Sequence, residues 1–204
     1  MILNEIGLEL EMFLLNREGN ILEPSKYGFP ADEMGFLIEL RTEHSDNPED
    51  IMNSLLLLSD INIKKSQKLE FEIKILPYLE VTQEFQEYIS EKYKHSMLPD
   101  HTKNIYGIKK THHTGFHDNL ATAGLHVHFS SRRIFGNKCL QRDLPIERIV
   151  TIMDNTFYKE IKDSKRIEGE YEMKAHGFEY RSLPASIDYK TVIQKSLEIL
   201  NEMK

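Results

Sequence analysis

Along much of this chain polar and apolar residues alternate, and in four places the polar parity carries two chemically active side chains two residues apart. Glu9 and Glu11 lie in GLELEMF among Leu8, Leu10 and Met12, and Glu39 and Arg41 follow Ile38 and Leu40 in GFLIELRT. His126 and His128 alternate with Leu125, Val127 and Phe129, and Glu179 and Arg181 with Phe178 and Tyr180. Residues at i and i+2 share a face only on a strand, because on a helix they point to nearly opposite sides. The pattern therefore predicts four strands, each with one apolar and one chemically loaded face.

NREGN at 16–20 reads as a hairpin turn, and EPSKYGFPADEMG as a loop leading to a strand over 35–42. SDNPED opens a helix, with Ser45, Asp46 or Asn47 as cap and Pro48 in the first turn, whose apolar face is Ile51, Met52, Leu55, Leu56 and Leu58. LEFEIKIL at 69–76 alternates as a strand with Leu69, Phe71, Ile73 and Ile75 inward, ended by Pro77. From 83 to 119 the pattern weakens, and His95, His101, His112, His113 and His117 lie among Lys and Gly. This stretch is expected to be a long irregular excursion, a candidate lid or substrate loop with Asp100 and Lys103 near its entrance.

A helix over 145–161 carries Ile146, Ile149, Val150, Met153, Phe157 and Ile161 on one stripe, and a last helix over about 187–203 carries Ile193, Leu197 and Leu200. This order of elements predicts a single α+β domain over residues 1–204, with a largely antiparallel sheet, helices packed on one face and the other face open.

With 40% hydrophobic and 29% charged residues, the chain of 204 residues can bury a proper core. Its one cysteine, Cys139, excludes an internal disulfide and fits a reducing compartment. No stretch approaches the roughly 18 apolar residues of a membrane helix, and MILNEIGLELE turns acidic too early for a signal peptide. A soluble, cytoplasmic protein with no membrane partner is expected. A net charge of -7 argues against broad affinity for nucleic acid, leaving Lys109, Lys110, Arg132 and Arg133 as local phosphate contacts.

The polar face would gather Glu9, Glu11, Glu39 and Glu179 against only Arg41 and Arg181. A desolvated charge without a partner costs several kcal/mol, against a total stability of about 5–15 kcal/mol, so such a cluster asks for cations. Carboxylates joined by an imidazole suit Mg²⁺ or Mn²⁺, and the arginines then offer planar forks for phosphate or carboxylate. Taken singly, Glu9 with Glu11 reads as a solvated edge, and Glu179 with Arg181 as a surface ion pair contributing less than about 1 kcal/mol. Only the set points to a site.

GLELEMF, then GFLIELRT followed by a Pro-started helix, then TAGLHVHFSS and GFEYRSLPAS resemble, in that order, the motifs of the glutamine synthetase-like superfamily. The resemblance is closest to the phage and bacterial COOH-NH2 amidoligases and spans residues 5 to 60 and 120 to 203. It implies an antiparallel sheet whose open concave face binds ATP and a pair of Mg²⁺ or Mn²⁺ ions, in the cytoplasm of a bacterial or phage-infected cell. It implies an ATP-dependent ligase that activates a carboxylate as an acyl phosphate, which an amine attacks to give an amide. Glu9, His126 and Glu179 would hold the ion at the transferred phosphate, and Glu11 with Glu39 the ion nearer the acceptor carboxylate. Arg181 would steady the phosphoryl group, Ser130 and Arg132 would help hold the nucleotide, Arg41 would face the substrate carboxylate, and His128 would support the site or touch substrate.

The resemblance leaves the acid and the amine open among small molecules, peptides and protein side chains, and it matches nothing in the histidine-rich middle segment, where substrate choice is expected. With eight residues ahead of Glu9, no counterpart of the extra N-terminal domain of glutamine synthetase itself is expected. Two other readings stand beside the ligase. One is a non-catalytic relative that binds a nucleotide or peptide on the same face. The other is a Zn²⁺ hydrolase using His126, His128 and a glutamate, which leaves Arg41 and Arg181 without a task.

Overall fold

The first alternating run, Glu5–Leu15 (β1), is the longest strand and pairs with neighbours on both edges. A computed structural model describes residues 2–33, 35–93, 101–108, 116–117 and 119–203. After β1 come β2 (Leu37–Arg41), α1 (Pro48–Lys68), β3 (Glu72–Lys74), β4 (Tyr78–Glu80), α2 (Gln83–Tyr93), β5 (Lys103–Asn104), β6 (Phe116–His117) and β7 (Leu120–Thr122). The second half holds β8 (Gly124–Ser130), α3 (Lys138–Arg142), α4 (Ile146–Thr156), α5 (Tyr158–Asp163), β9 (Glu170–Lys174), β10 (Gly177–Pro184) and α6 (Tyr189–Glu202).

The main sheet runs β2-β1-β8-β10-β9-β5, with β3 also on β1, and β4-β7-β6 form a small second sheet; every pair is antiparallel. The fold is thus a mixed α/β one with an open, mostly antiparallel sheet and six helices among the described residues. None of these helices is long and apolar enough to cross a membrane.

The apolar parity becomes the core as expected: Leu8, Leu10, Met12, Ile38, Leu40, Leu125, Val127, Phe129, Phe178 and Tyr180 are all buried. Helix α1 packs on β1 and β2, α6 on β1, and α4 and α5 on β10. Asp154 on α4 is buried beside this core and accepts a hydrogen bond from Tyr180 Oη at 2.6 Å, while burial pushes its carboxyl up. Replacing Tyr180 with Phe removes that bond from a buried carboxyl, and urea denaturation should show a loss of about 0.5–1.5 kcal/mol. No measurable loss would mean the buried bond contributes nothing.

The turn at 16–20 forms as expected, with Asn16 N–H donating to Asn20 O, Asn16 Oδ1 accepting from Asn20 N, and Gly19 at φ 82°. Asn47 is the cap of α1, its side chain accepting from Glu49 N ahead of Pro48. Ile51 and Leu55 are buried, but Leu56 is exposed, a departure from the expected stripe. The helix also runs further than its pattern suggests. It ends in a Schellman arrangement, with Phe71 N–H donating to Ser66 O, Glu70 N–H to Gln67 O, and Glu70 itself left-handed at φ 59°. That cap takes Leu69, Glu70 and Phe71 out of the expected strand, which shrinks to Glu72–Lys74 and leaves Leu69 exposed.

The segment 83–119, expected to be irregular, opens with α2. Thr82 Oγ1 accepts from Phe85 N at the helix start, Phe85 packs edge-on against Phe36, Ile89 is fully buried, and Tyr88 Oη donates to Glu23 at 2.7 Å. His95, Asp100, His112 and His113, singled out in the sequence, lie outside the described residues. The helix expected over 145–161 is two helices, α4 and α5, broken at the buried Phe157, where Thr156 Oγ1 bonds back to Ile152 O. Strand β9 has no counterpart in the expected order of elements. It forms a hairpin with β10 and adds a further polar edge to the loaded face.

Candidate functional site

Strand register brings the four pairs together. Glu9 lies opposite Arg41 on β2 and opposite His126 on β8, Glu11 lies opposite Glu39, and Glu179 lies between His128 on β8 and Glu172 on β9. On β10 the register shifts by one residue between Tyr180 and Leu183. This bulge lets Arg181 share the face of Glu179 while Leu183 returns to the core, so the strand serves both faces without losing its pairing.

His126 is at the centre. Its Nδ1 lies 2.9 Å from Glu9 Oε1 and 2.8 Å from Glu179 Oε1, while Nε2 lies 3.8 Å from Glu11 Oε1. Burial and the nearby Arg181 push its pKa down, but Glu11 and Glu179 outweigh them and raise it to about 9. The ring is therefore an imidazolium at neutral pH, with a buried Nε2 that has no hydrogen-bond partner. Burial likewise opposes ionisation of Glu9 and Glu179, yet hydrogen bonds and charge from His126, with His128 acting on Glu9 and Arg181 on Glu179, hold both carboxyls well below their ordinary range.

Exposure rises outward from this centre, from 0% at Glu179 to 23% for the Arg181 side chain and 64% for Arg41. Arg41 reaches Glu9 Oε2 at 2.7 Å and Glu39 Oε1 at 2.5 Å. Arg181 Nη1 lies 2.5 Å from Glu179 Oε1 and 3.3 Å from Glu172 Oε2. Glu39 faces Glu11 directly, an unfavourable like-charge pairing. Burial first, then Glu9, push Glu39 up to about 8, so it keeps its proton at neutral pH without an ion.

Three groups that the strand pairs do not reveal also belong to this face. Glu172 and Lys174 come from β9, with Lys174 Nζ 3.0 Å from Glu172 Oε2 and 2.8 Å from Glu179 Oε2. Their signal was the alternation of EYEMK, where Tyr171 and Met173 sit on the opposite parity. Arg166, from the loop after α5, donates to Arg181 O at 2.5 Å and lies over Gly124, where an added Cβ would come 2.6 Å from its Nη2. Gly124 N–H in turn donates to Glu11 Oε2 at 2.6 Å. Only a residue without a side chain allows both contacts.

These cations change the charge argument. The carboxylates were expected to be uncompensated without metal ions. In the folded protein Arg41, Lys174, Arg181 and the protonated His126 compensate them, and Glu39 is neutral. Any metal ion must therefore exchange with these groups, not simply fill a void of charge. Ser130 is buried at the end of β8, level with Gly177, and donates to Glu5 O at 3.4 Å. Arg132 is exposed in the following turn, and among the described residues no ion pair ties it to the carboxylates.

Could the face take cations? Glu9, His128 and Glu179 each offer a ligand atom, all within 4.8 Å of one another, and all three residues are buried. A second group of the same kind is His44, His128 and His176. The unpartnered Nε2 of His126 beside Glu11 is a further donor once its proton leaves. Carboxylates with one or two imidazoles suit Mg²⁺ or Mn²⁺, so these residues fit such ions. No protein-family model and no curated protein matches this chain.

Proposed function

We propose that this protein is an ATP-dependent carboxylate–amine ligase of the glutamine synthetase-like kind, working on the loaded face of its sheet. The observation that carries this reading is the meeting of Glu9, His126 and Glu179, from three adjacent strands, within 2.9 Å contacts, flanked by Glu11, Glu39, Arg41 and Arg181. Glu9, His126 and Glu179 hold one divalent ion and Glu11 with Glu39 a second, with His128 placed to assist the first. Bound there, Mg²⁺ or Mn²⁺ neutralises the triphosphate and the charge that spreads during phosphoryl transfer.

A carboxylate that ligates a cation no longer needs its arginine. Arg41 is then released from Glu9 and Glu39, and Arg181 from Glu179, to receive anionic oxygens. The more sheltered Arg181 orients the phosphoryl group and the exposed Arg41 meets the acceptor carboxylate, each with a bidentate fork. Ser130 and Arg132, at the end of β8, hold the nucleotide. The acid's oxygen attacks the γ-phosphorus and ADP departs; the amine nitrogen then attacks the carbonyl carbon, phosphate departs and the amine sheds a proton. The protein supplies position and charge, and no protein nucleophile takes part.

The test uses the whole chain with ATP, Mn²⁺ and a panel of carboxylic acids, with hydroxylamine as the amine. The expected result is hydroxamate and ADP in equal amounts with at least one acid, and calorimetric binding of a non-hydrolysable ATP analogue that requires Mn²⁺. No analogue binding in the presence of Mn²⁺ would overturn the reading.

A further inference from the structure

Next to the carboxylates, three imidazoles converge from three parts of the chain: His44 after β2, His128 on β8 and His176 in the β9–β10 turn. Each offers a ring nitrogen, and those atoms lie within 4.8 Å of one another. The ring centroids are 4.7 Å apart for His44 and His176, 5.2 Å for His128 and His176, and 5.7 Å for His44 and His128. His128 Nδ1 and His176 Nε2 are 3.1 Å apart. Two nitrogens bound at 2.0–2.1 Å to one tetrahedral ion are separated by about 3.3 Å, so this pair already has ligand spacing.

The backbone is shaped to allow the convergence. Gly7 lies opposite His128, and a Cβ there would come 2.2 Å from His44 Cδ2, so the glycine lets the His44 ring lie on β1. Gly177 follows His176 at φ 154°, where a Cβ would come 2.0 Å from Phe129 O. The hairpin can therefore close against β8, and His176 O accepts from Ser131 N at 3.0 Å.

We propose that His44, His128 and His176 form a site for a borderline divalent cation of the Zn²⁺ class, distinct from the carboxylate cluster. An all-imidazole set favours Zn²⁺, Co²⁺ or Ni²⁺, whereas the carboxylates favour Mg²⁺ or Mn²⁺. His128 joins the two: its Nδ1 ligates, and its Nε2, 3.5 Å from Glu9 Oε2, carries the ring proton toward that carboxylate. A ligating histidine oriented by a carboxylate on its other nitrogen is a recurrent arrangement in zinc sites. Three protein ligands leave the fourth tetrahedral position open to water or to a donor atom of a substrate.

The metal-free chain of 204 residues is titrated with Co²⁺ in excess Mg²⁺, which competes for the carboxylates and is spectroscopically silent. The expected result is one equivalent of Co²⁺ with the intense visible bands of tetrahedral coordination, displaced by Zn²⁺. His44→Ala and His176→Ala should each weaken Co²⁺ binding about 100-fold or more. His101→Ala, at an exposed histidine outside both ligand groups, should bind as the parent does. His176→Gln, which preserves a polar partner for His128, separates loss of a ligand from loss of packing, with circular dichroism reporting the fold. Weak octahedral bands, or tetrahedral bands that survive both His44→Ala and His176→Ala, would overturn the proposal.

Discussion

Glu179→Gln is expected to lower turnover at least about a hundredfold and to cost the metal-free protein about 3–5 kcal/mol of stability. Glu179 is fully buried and is approached at 2.8 Å or less by His126 Nδ1, Lys174 Nζ and Arg181 Nη1. The amide keeps the shape but removes the charge that all three share. Three cationic groups then face one another with less compensation, which is why breaking a buried pair from one side costs more than the pair contributes. Removing a cation as well, in Glu179→Gln with Arg181→Met, should restore part of the loss, and the double-mutant cycle measures how much. Urea unfolding reads the stability and ADP release the turnover. A Glu179→Gln protein as stable as the parent would show that the charge cluster does not hold this part of the sheet.

In chelator, the stability of the protein is expected to fall by on the order of 3 kcal/mol as pH rises from about 6 to about 9. Two groups set this window. His126 has its folded pKa at about 9, above its ordinary 6.5, so its contribution is fully present below 6.5 and is lost as pH climbs through 9. Glu39 has its folded pKa at about 8 against an ordinary 4.5, so between those values the unfolded chain ionises while the folded one keeps its proton, and stability again declines with rising pH. The two share Glu9 and Glu11 as neighbours and do not add independently. Urea denaturation in EDTA across this range checks the slope, and Glu39→Gln should flatten its lower half. Saturating Mn²⁺ should reverse the trend, since a cation takes the place of both protons and binds better as they leave. A flat profile in chelator would contradict the proton assignments.

The strands bearing the site were legible in the sequence because a period of two, held across pairs of charged residues, admits one backbone geometry. Glu9, Glu11, Glu39, Arg41, His126, His128, Glu179 and Arg181 do meet on one face. Arg166, His44 and His176 were not legible, because each reaches the face from a loop or turn, and nothing in local spacing records where a loop is carried by the tertiary fold. Glu172 and Lys174 did carry a local signal that went unread, the alternation in EYEMK. So did α2, where Phe85 and Ile89 stand at i and i+4 behind a capping Thr82. The end of α1 carried none: a glutamate, not a glycine, occupies the left-handed position that stops it.

The bulge in β10 gives the sheet two reading frames. Upstream of it, odd-numbered residues from Glu179 to Arg181 face the carboxylates; downstream, Leu183 pairs level with Leu125 and faces the core. Deleting Ser182 would merge the frames into one regular ladder, with Arg181 level with His126 and Leu183 still level with Leu125, so what the extra residue supplies is its own side chain and not the facing of its neighbours. Identity matters at this point: Ser182 is fully buried and its Oγ accepts from Glu170 N at 3.1 Å, so Ser182→Ala should loosen the junction of β9 with β10.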